Sequence, residues 1–113
     1  MTESCLFCRI VRGEIPVSTI AENEHAIAFR DISPQAPVHV LVVPRRHVAS
    51  LAEADNALEV GAIALLAAQV ARAEGIDGSG YRTVMNSGAD GGQTVHHLHM
   101  HLLGGRAMKW PPG

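Results

Sequence analysis

Histidine alternates with apolar residues between positions 97 and 103, and this pattern constrains the fold more than any other feature. The two parities hold different side chains: His97, His99 and His101 on one, and Leu98, Met100 and Leu102 on the other. Because successive side chains of a β-strand point to opposite faces, the pattern predicts a strand with three imidazoles on one face. Core burial does not explain three polar rings, since each buried imidazole needs hydrogen-bond partners for both nitrogens.

The length and charge of the chain limit the classes of protein to consider. With 113 residues it can form one hydrophobic core but not two, so we expect a single domain over residues 1–113. A formal net charge of −2 provides no basic surface for nucleic acid or for an anionic membrane. No run of 18 uncharged apolar residues predicts a membrane span. We read no signal peptide at the start, and the expected location is the cytoplasm.

Short periodic segments in the first half predict a helix and three strands. Apolar residues at helical spacing occupy Cys5–Val11, and Gly13 is a stop signal after them. Strands over Ile15–Glu22 and His25–Asp31 are expected to form a hairpin. The β-branched run Val38–Val43 lies between two prolines and predicts a third strand.

The second half predicts one long helix and two further strands. The helix is expected between Asp55, as its N-cap, and Gly75, as its end. Its expected core-facing residues share helical spacing and are Leu58, Ala62, Leu65, Leu66, Val70 and Ala73. A short strand over Tyr81–Asn86 precedes a glycine-rich loop and the histidine-rich strand. Together, these helices and strands predict an α+β domain with a mainly antiparallel sheet.

The histidine-rich run also matches a known signature. His97-Leu-His-Met-His-Leu-Leu103 fits every position of His-φ-His-φ-His-φ-φ, where φ is apolar. Other matching segments cover nearly the whole chain: Asp31-Ile-Ser-Pro-Gln-Ala-Pro37, His39, Leu41-Val-Val-Pro44, Asn86, Gly91-Gly-Gln-Thr94, Gly104-Gly105 and Trp110-Pro-Pro-Gly113. The sequence thus resembles the histidine triad (HIT) superfamily, in particular its HINT branch of purine nucleoside phosphoramidases, or histidine triad nucleotide-binding proteins. The resemblance implies a HIT-like fold with a five-stranded sheet, one long helix and one short helix.

The same resemblance implies a hydrolase. Its substrates would be purine nucleoside 5′-phosphoramidates, with aminoacyl adenylates as a further class, and it would cleave the phosphorus–nitrogen bond through a covalent nucleotidyl-histidine. A neutral imidazole can attack phosphorus near pH 7, because the unperturbed histidine pKa is about 6.5. We assign the attack to His99 and hydrogen bonding of the phosphoryl oxygens to His101. The resemblance adds His39 as a proton-relay partner of His99 and counts His97 with the catalytic group.

Residues for binding the nucleotide follow from the same resemblance. The glycine-rich loop brings backbone N–H groups near a phosphate, with Gly92, Gln93, Thr94 and Asn86 as its contacts. Asp31 and Ile32 are expected at the ribose, although an Asx turn also explains the aspartate. The base slot would be lined by Phe7, Ile10, Phe29 and Leu41, for which core packing is an equally good explanation.

Cys5 and Cys8 have the two-residue gap of a zinc knuckle. In zinc-bearing members of the family that the sequence resembles, His47 and His97 would complete the ligand set. A closed Cys2His2 set is structural, so zinc would not be required for catalysis. Two free thiols are the alternative.

Two other functions remain open, and so does the oligomeric state. His99, His101 and a third histidine could hold a catalytic zinc. The protein could also be a nucleotide sensor or adaptor with little turnover. The resemblance implies a homodimer, in which the long helix and the carboxy-terminal tail with Trp110 contribute to the interface.

Overall fold

Five antiparallel strands form one sheet, in the order β1-β2-β3-β5-β4, with a long helix against it. The computed structural model describes residues 2–113. The elements in chain order are α1 (Leu6–Val11), β1 (Thr19–Glu22), β2 (Ala26–Arg30), β3 (Val38–Pro44), α2 (Ala57–Ala73), β4 (Tyr81–Met85) and β5 (Met100–Gly104). The expected α+β class, with one long and one short helix, is confirmed. Within the described residues, no helix is long and apolar enough to cross a membrane.

The short helix α1 begins as the sequence predicts. The Cys5 sulfur caps it by accepting a hydrogen bond from the Cys8 N–H at 3.4 Å. Gly13 ends it with a φ of +78°, a conformation that favours glycine. Phe7 and Ile10 are buried on its inner side, where they join a second apolar cluster on the face of the sheet opposite α2.

The hairpin is present, but its first strand is shorter than expected. β1 begins at Thr19 and not at Ile15, because Pro16 has no N–H to donate to a strand partner. Ile15 and Val17 pack instead against the apolar cluster beneath α1. At the turn, the Asn23 side chain accepts hydrogen bonds from the N–H groups of His25 and Ala26.

The N-cap of α2 is Asn56, so the assignment to Asp55 is wrong. The Asn56 side-chain oxygen accepts from the N–H groups of Leu58 and Glu59, at 3.0 and 3.2 Å. Asp55 instead forms an exposed ion pair with Arg46 at 3.0 Å. The predicted end holds, because the helix ends at Ala73 and Gly75 has a φ of +74°.

The core-facing side of α2 also differs from the expectation. Its buried residues are Glu59, Ile63, Leu66, Ala67, Val70 and Ala71. Leu58 and Leu65, expected in the core, are 75% and 72% exposed. Alanine and leucine cover more than one side of this helix, so spacing alone did not identify the side that packs against the sheet. Glu59 is tolerated there because the Arg46 guanidinium binds its carboxylate at 2.9 and 3.2 Å.

The histidine-rich strand begins three residues later than predicted. β5 starts at Met100, so His97 and His99 lie in the bent segment that leads into it. The Leu98 N–H donates to the Val48 carbonyl at 2.6 Å and holds this segment outside the regular ladder. The prediction of a regular strand over His97 and His99 is therefore wrong. The rings still lie together, because Phe7 packs against those of His97 and His99 and the centroid of His101 is 5.1 Å from that of His99.

The α2 cap can be tested with a matched pair of variants. We expect Asn56→Ala to lower the free energy of unfolding by about 1 kcal/mol, because two helix N–H groups lose their acceptor. Asp55→Ala should cost less than about 0.5 kcal/mol, since it removes only an exposed ion pair. Urea unfolding followed by circular dichroism measures both. Equal losses in the two variants would contradict Asn56 as the cap.

Candidate active site

Two histidines meet where β3 and β5 pair. The register places Leu41 opposite His101, and His39 lies two residues along the same face of β3. The His39 Nε2 is therefore 2.9 Å from the His101 Nδ1. The sequence interpretation brought His39 beside the triad, and the triad ring that it contacts is that of His101.

The His99 ring is oriented by a backbone carbonyl. Its Nδ1–H donates to the His97 oxygen at 2.7 Å, and a carbonyl can only accept. When the ring is neutral, its Nε2 therefore keeps the lone pair. The ring is 6% exposed and packs edge-on against Phe7, with ring centroids 5.0 Å apart. The centroid of the His101 ring is 5.1 Å from that of the His99 ring. His99 thus has the tautomer of a nitrogen nucleophile.

Both His39 and His101 are held in the neutral form. Burial lowers the pKa of His39, and Asp31 only partly opposes this effect. Burial also lowers the pKa of His101 to about 4; the neighbouring His99 and His39 add to the shift, and Asp31 opposes it. Neither ring therefore carries a charge near pH 7.

An apolar cavity of about 380 Å³ shares two residues with the triad's surroundings, because Phe7 packs against His99 and Leu41 pairs with His101. Every residue expected around a base and ribose lines it: Phe7, Ile10, Phe29, Leu41, Asp31 and Ile32. Ile32 is 97% exposed at the rim. Asp31 has two roles, because its Oδ1 accepts the Ser33 N–H of an Asx turn at 2.7 Å and its Oδ2 lies 3.5 Å from the His39 Nε2.

The glycine-rich loop is braced by its own side chains. The Asn86 amide donates to the Gly91 carbonyl at 2.5 Å. The Gln93 amide donates to the carbonyls of Ala49 and Val95 at 2.7 and 3.1 Å, and its oxygen accepts the Gly88 N–H. Gln93 therefore positions the loop in this structure and does not offer a free side-chain donor.

The other two residues named for this loop differ in their surroundings. Gly92 adopts a φ of +78°, and its N–H donates to the Ala89 carbonyl at 3.0 Å. Thr94 is exposed and lies before the histidine-rich segment. Of the named loop residues, Thr94 is thus the one whose side chain is open to solvent.

Four candidate metal ligands come together at the Nδ1 side of the His97 ring. The ligand atoms of Cys5, Cys8, His47 and His97 all lie within 4.8 Å of one another. The His97 Nδ1 is 3.3 and 3.5 Å from the two sulfurs, and the His47 Nδ1 is 3.3 Å from the Cys8 sulfur. A tetrahedral zinc places sulfur and nitrogen ligands about 3.5 Å apart, so the set fits zinc.

One further contact agrees with a cation at this set. The His97 Nε2–H donates to the Pro44 carbonyl at 2.9 Å, which leaves its Nδ1 free to act as a ligand. Burial, the Cys5 side chain and its charge raise the pKa of the Cys8 thiol to about 11. A bound cation would stabilise the thiolate that this environment otherwise disfavours.

The alternative of a catalytic zinc on His99 and His101 is not supported. Among residues 2–113, the sets of three or more close enough for one metal are the cysteine-containing set and Asp31, His39 and His101. His99 belongs to neither, so the ligands of that alternative are not brought together.

Sequence reasoning missed several residues that shape the site. Val95, Ile15 and Val17 line the cavity. Val95 directly precedes the histidine-rich segment, and Ile15 and Val17 flank Pro16, which signals a break in the strand. The backbone N–H of Gln35 donates to the His39 Nδ1 at 3.0 Å, and no side-chain pattern reveals such a contact.

A five-stranded α+β domain with this histidine triad and cavity defines a class of proteins, and comparison with known families agrees. The family model described as the HIT domain matches residues 12–108. The chain therefore belongs to the HIT domain family. An uncharacterized HIT-like protein from Synechococcus elongatus is 49% identical over 115 residues, which cover all of both chains.

Solved structures agree in fold. A HIT family hydrolase from Legionella pneumophila has a TM-score of 0.94 and 46% identity, over 97% of this chain and all of that one. A histidine triad nucleotide-binding protein from Candida albicans has a TM-score of 0.84 and 31% identity, over 96% and 83%. A zinc-bound histidine triad family protein from Mycobacterium smegmatis has a TM-score of 0.83 and 32% identity, over 94% and 78%.

Proposed function

We propose that the protein hydrolyses the phosphorus–nitrogen bond of purine nucleoside 5′-phosphoramidates. One observation carries the proposal: the hydrogen bond from the His99 Nδ1–H to the His97 carbonyl leaves the Nε2 lone pair on a ring that packs against Phe7, a wall of the 380 Å³ cavity. The similar Legionella protein is called a hydrolase and the Candida protein nucleotide-binding, which supports both parts of the proposal. Aminoacyl adenylates are a further substrate class of the same chemistry.

The reaction proceeds in two displacements at the α-phosphorus. The His99 Nε2 forms a bond to phosphorus while the bond to the amine breaks, and the amine leaves after gaining one proton. Water then displaces the imidazole, gives up one proton, and releases the nucleoside monophosphate. His101 donates a hydrogen bond to the phosphoryl oxygens, where negative charge develops. The His39 Nε2 lies 2.9 Å from the His101 Nδ1 and holds that ring in place by a hydrogen bond.

The nucleotide itself is held beside the triad. The apolar side chains of Phe7, Phe29 and Leu41 take the purine ring, and Asp31 at the rim accepts from the ribose hydroxyls. The backbone of the loop that includes Gly92 and Thr94 faces the phosphate.

Zinc on Cys5, Cys8, His47 and His97 is proposed to be structural. All four donor atoms belong to protein residues, so a zinc there keeps no open position for water. The zinc-bound protein from Mycobacterium smegmatis supports the choice of metal. Catalysis would then need no metal. Thiol ligands persist in a reducing compartment, which supports the expected cytoplasmic location.

A homodimer is also proposed, through α2 and the tail. Leu58 and Leu65 are largely exposed on one side of α2, beside a groove lined by Gly61 and Ala62. Trp110 is 82% exposed, and β4 is an edge of the sheet. A second copy of the chain would cover these apolar side chains.

The nucleophile is tested by release of nucleoside monophosphate from an adenosine phosphoramidate. We expect His99→Ala to lower kcat/KM by about 10³-fold or more, because no other group can form the covalent intermediate. His96→Ala is the matched control, since His96 is an exposed neighbour outside the triad, and it should stay near the wild-type rate. Chelator-treated wild type should retain activity. Loss of activity on chelation with the fold intact would support metal catalysis, and nucleotide binding without turnover would support a sensor.

The zinc set is tested by metal content and stability under reducing conditions. We expect about one zinc per chain in wild type and its loss in Cys8→Ser, whereas His25→Ala, outside the set, should keep the metal. A thousandfold excess of zinc over its Kd should add about 4 kcal/mol to the free energy of unfolding. Mass spectrometry of the metal and urea unfolding with and without chelator measure these effects. A reduced wild-type protein that binds no zinc would refute the set.

The dimer is tested by sedimentation equilibrium. Leu65→Glu places a charge in the proposed interface, so we expect it to weaken the association strongly. Leu51→Glu, at an exposed leucine outside α2, is the control and should leave the association unchanged. A wild-type monomer at micromolar concentration would contradict the proposal.

A further inference from the structure

A chain of hydrogen bonds runs from the backbone N–H of Gln35 through His39 to His101, and its first bond fixes which atoms donate. The backbone N–H of Gln35 lies 3.0 Å from the His39 Nδ1. An amide N–H can only donate, so the His39 Nδ1 must accept and carries no proton.

The second link follows from the first. A neutral imidazole has one N–H, and His39 must carry it on Nε2 because Nδ1 is an acceptor. The Asp31 Oδ2, a carboxylate oxygen that only accepts, lies 3.5 Å from this Nε2 and favours the same tautomer. Two independent neighbours thus agree on the position of the proton. The burial of His39, which is 6% exposed, keeps the ring uncharged.

The third link reaches the candidate active site. The His39 Nε2–H points to the His101 Nδ1 at 2.9 Å, so the His101 Nδ1 accepts. A neutral His101 then carries its own proton on Nε2. Its neighbour His99 has the opposite arrangement, with the proton on Nδ1 held by the His97 carbonyl.

We propose that the backbone N–H of Gln35, acting through His39, fixes His101 as its Nε2–H tautomer, so that His101 offers a neutral donor beside the lone pair of His99. Gln35 and His39 are positioning residues in this arrangement, since they act through His101. The tautomer assignment stands on the contacts alone, whereas the phosphoryl oxygen as the acceptor rests on the proposed function.

The arrangement matters because the alternative tautomer would remove the donor. With the proton on Nδ1, the Nε2 lone pair of His101 would point at the phosphoryl oxygens and repel their negative charge. Loss of one such preorganised donor lowers kcat by about 10²- to 10³-fold in other enzymes.

The loop that carries Gln35 is anchored from two sides. The Arg106 guanidinium donates to the Gln35 carbonyl at 3.1 and 3.4 Å. The Asp31 N–H donates to the His39 carbonyl at 3.0 Å. These bonds tie the loop to the end of β5 and to β3, the two strands that carry His101 and His39.

The first experiment changes whether residue 39 donates to the His101 Nδ1 or accepts from it. The side-chain amide of His39→Gln can still donate to the His101 Nδ1, whereas the carboxylate of His39→Glu can only accept. We expect the His101 Nδ1, observed by nitrogen-15 NMR of labelled histidine, to be unprotonated in wild type and in the glutamine variant and protonated in the glutamate variant. With an adenosine phosphoramidate, kcat should fall by about 10²-fold in the glutamate variant and by less than tenfold in the glutamine variant, with smaller changes in KM.

The second experiment removes the first link. Gln35→Pro lacks the N–H, and Gln35→Ala keeps it; both lose the side-chain bond to the Ser33 carbonyl, so they form a matched pair. We expect the wild-type tautomer of His101 in the alanine variant and partial protonation of its Nδ1 in the proline variant. The His39 pair still tests the proposal if the proline variant does not fold.

Two outcomes would overturn the inference. One is a protonated His101 Nδ1 in wild type, and the other is the same His101 tautomer in the glutamine and glutamate variants. Failure of the proposed function is distinguishable, because a wild-type protein without turnover whose tautomers follow the prediction would refute the substrate and support the hydrogen-bond chain.

Discussion

The hydrogen bond between the His99 ring and the His97 carbonyl is the interaction on which the site depends. It joins two residues that are two positions apart, so it needs the bent backbone that precedes β5. A regular strand would place the two side chains on the same face and direct the carbonyl into the ladder. The late start of β5 is therefore the feature that lets His99 have a fixed tautomer.

The three triad histidines differ in their hydrogen-bond partners. Each partner is a backbone group or a side chain held by one, and it decides which ring nitrogen carries the proton. His97 donates to the Pro44 carbonyl and turns its Nδ1 to the cysteines. His99 donates to the His97 carbonyl, and His101 accepts from His39, which itself accepts from the Gln35 N–H. The two neighbouring rings thus offer one lone pair and one N–H, as nucleophilic attack on a phosphoryl group requires.

Sequence reasoning found the residues of the site but not the contacts that orient them. The signature located His97, His99 and His101, and the wider resemblance added His39, because side-chain identity and spacing are visible in a sequence. Strand register decides that His39 contacts His101, which no spacing shows, and Gln93 proved to brace its own loop. The same limit applies to the fold: the α2 span was predicted, but alanine and leucine on several sides hid which side packs against the sheet.

Helix α1 links the cysteines to the cavity. It has six residues, too few to be stable alone, so its position depends on what its side chains contact. Phe7 lies between Cys5 and Cys8 in sequence, and its ring packs against His97, His99 and Phe29, with centroids 5.8, 5.0 and 5.7 Å apart. A group that holds the two sulfurs therefore also helps to hold Phe7 against His99 and Phe29. A structural metal would stabilise the candidate site in this way without entering the cavity, because the segment with Cys5 and Cys8 also carries Phe7, which lines it.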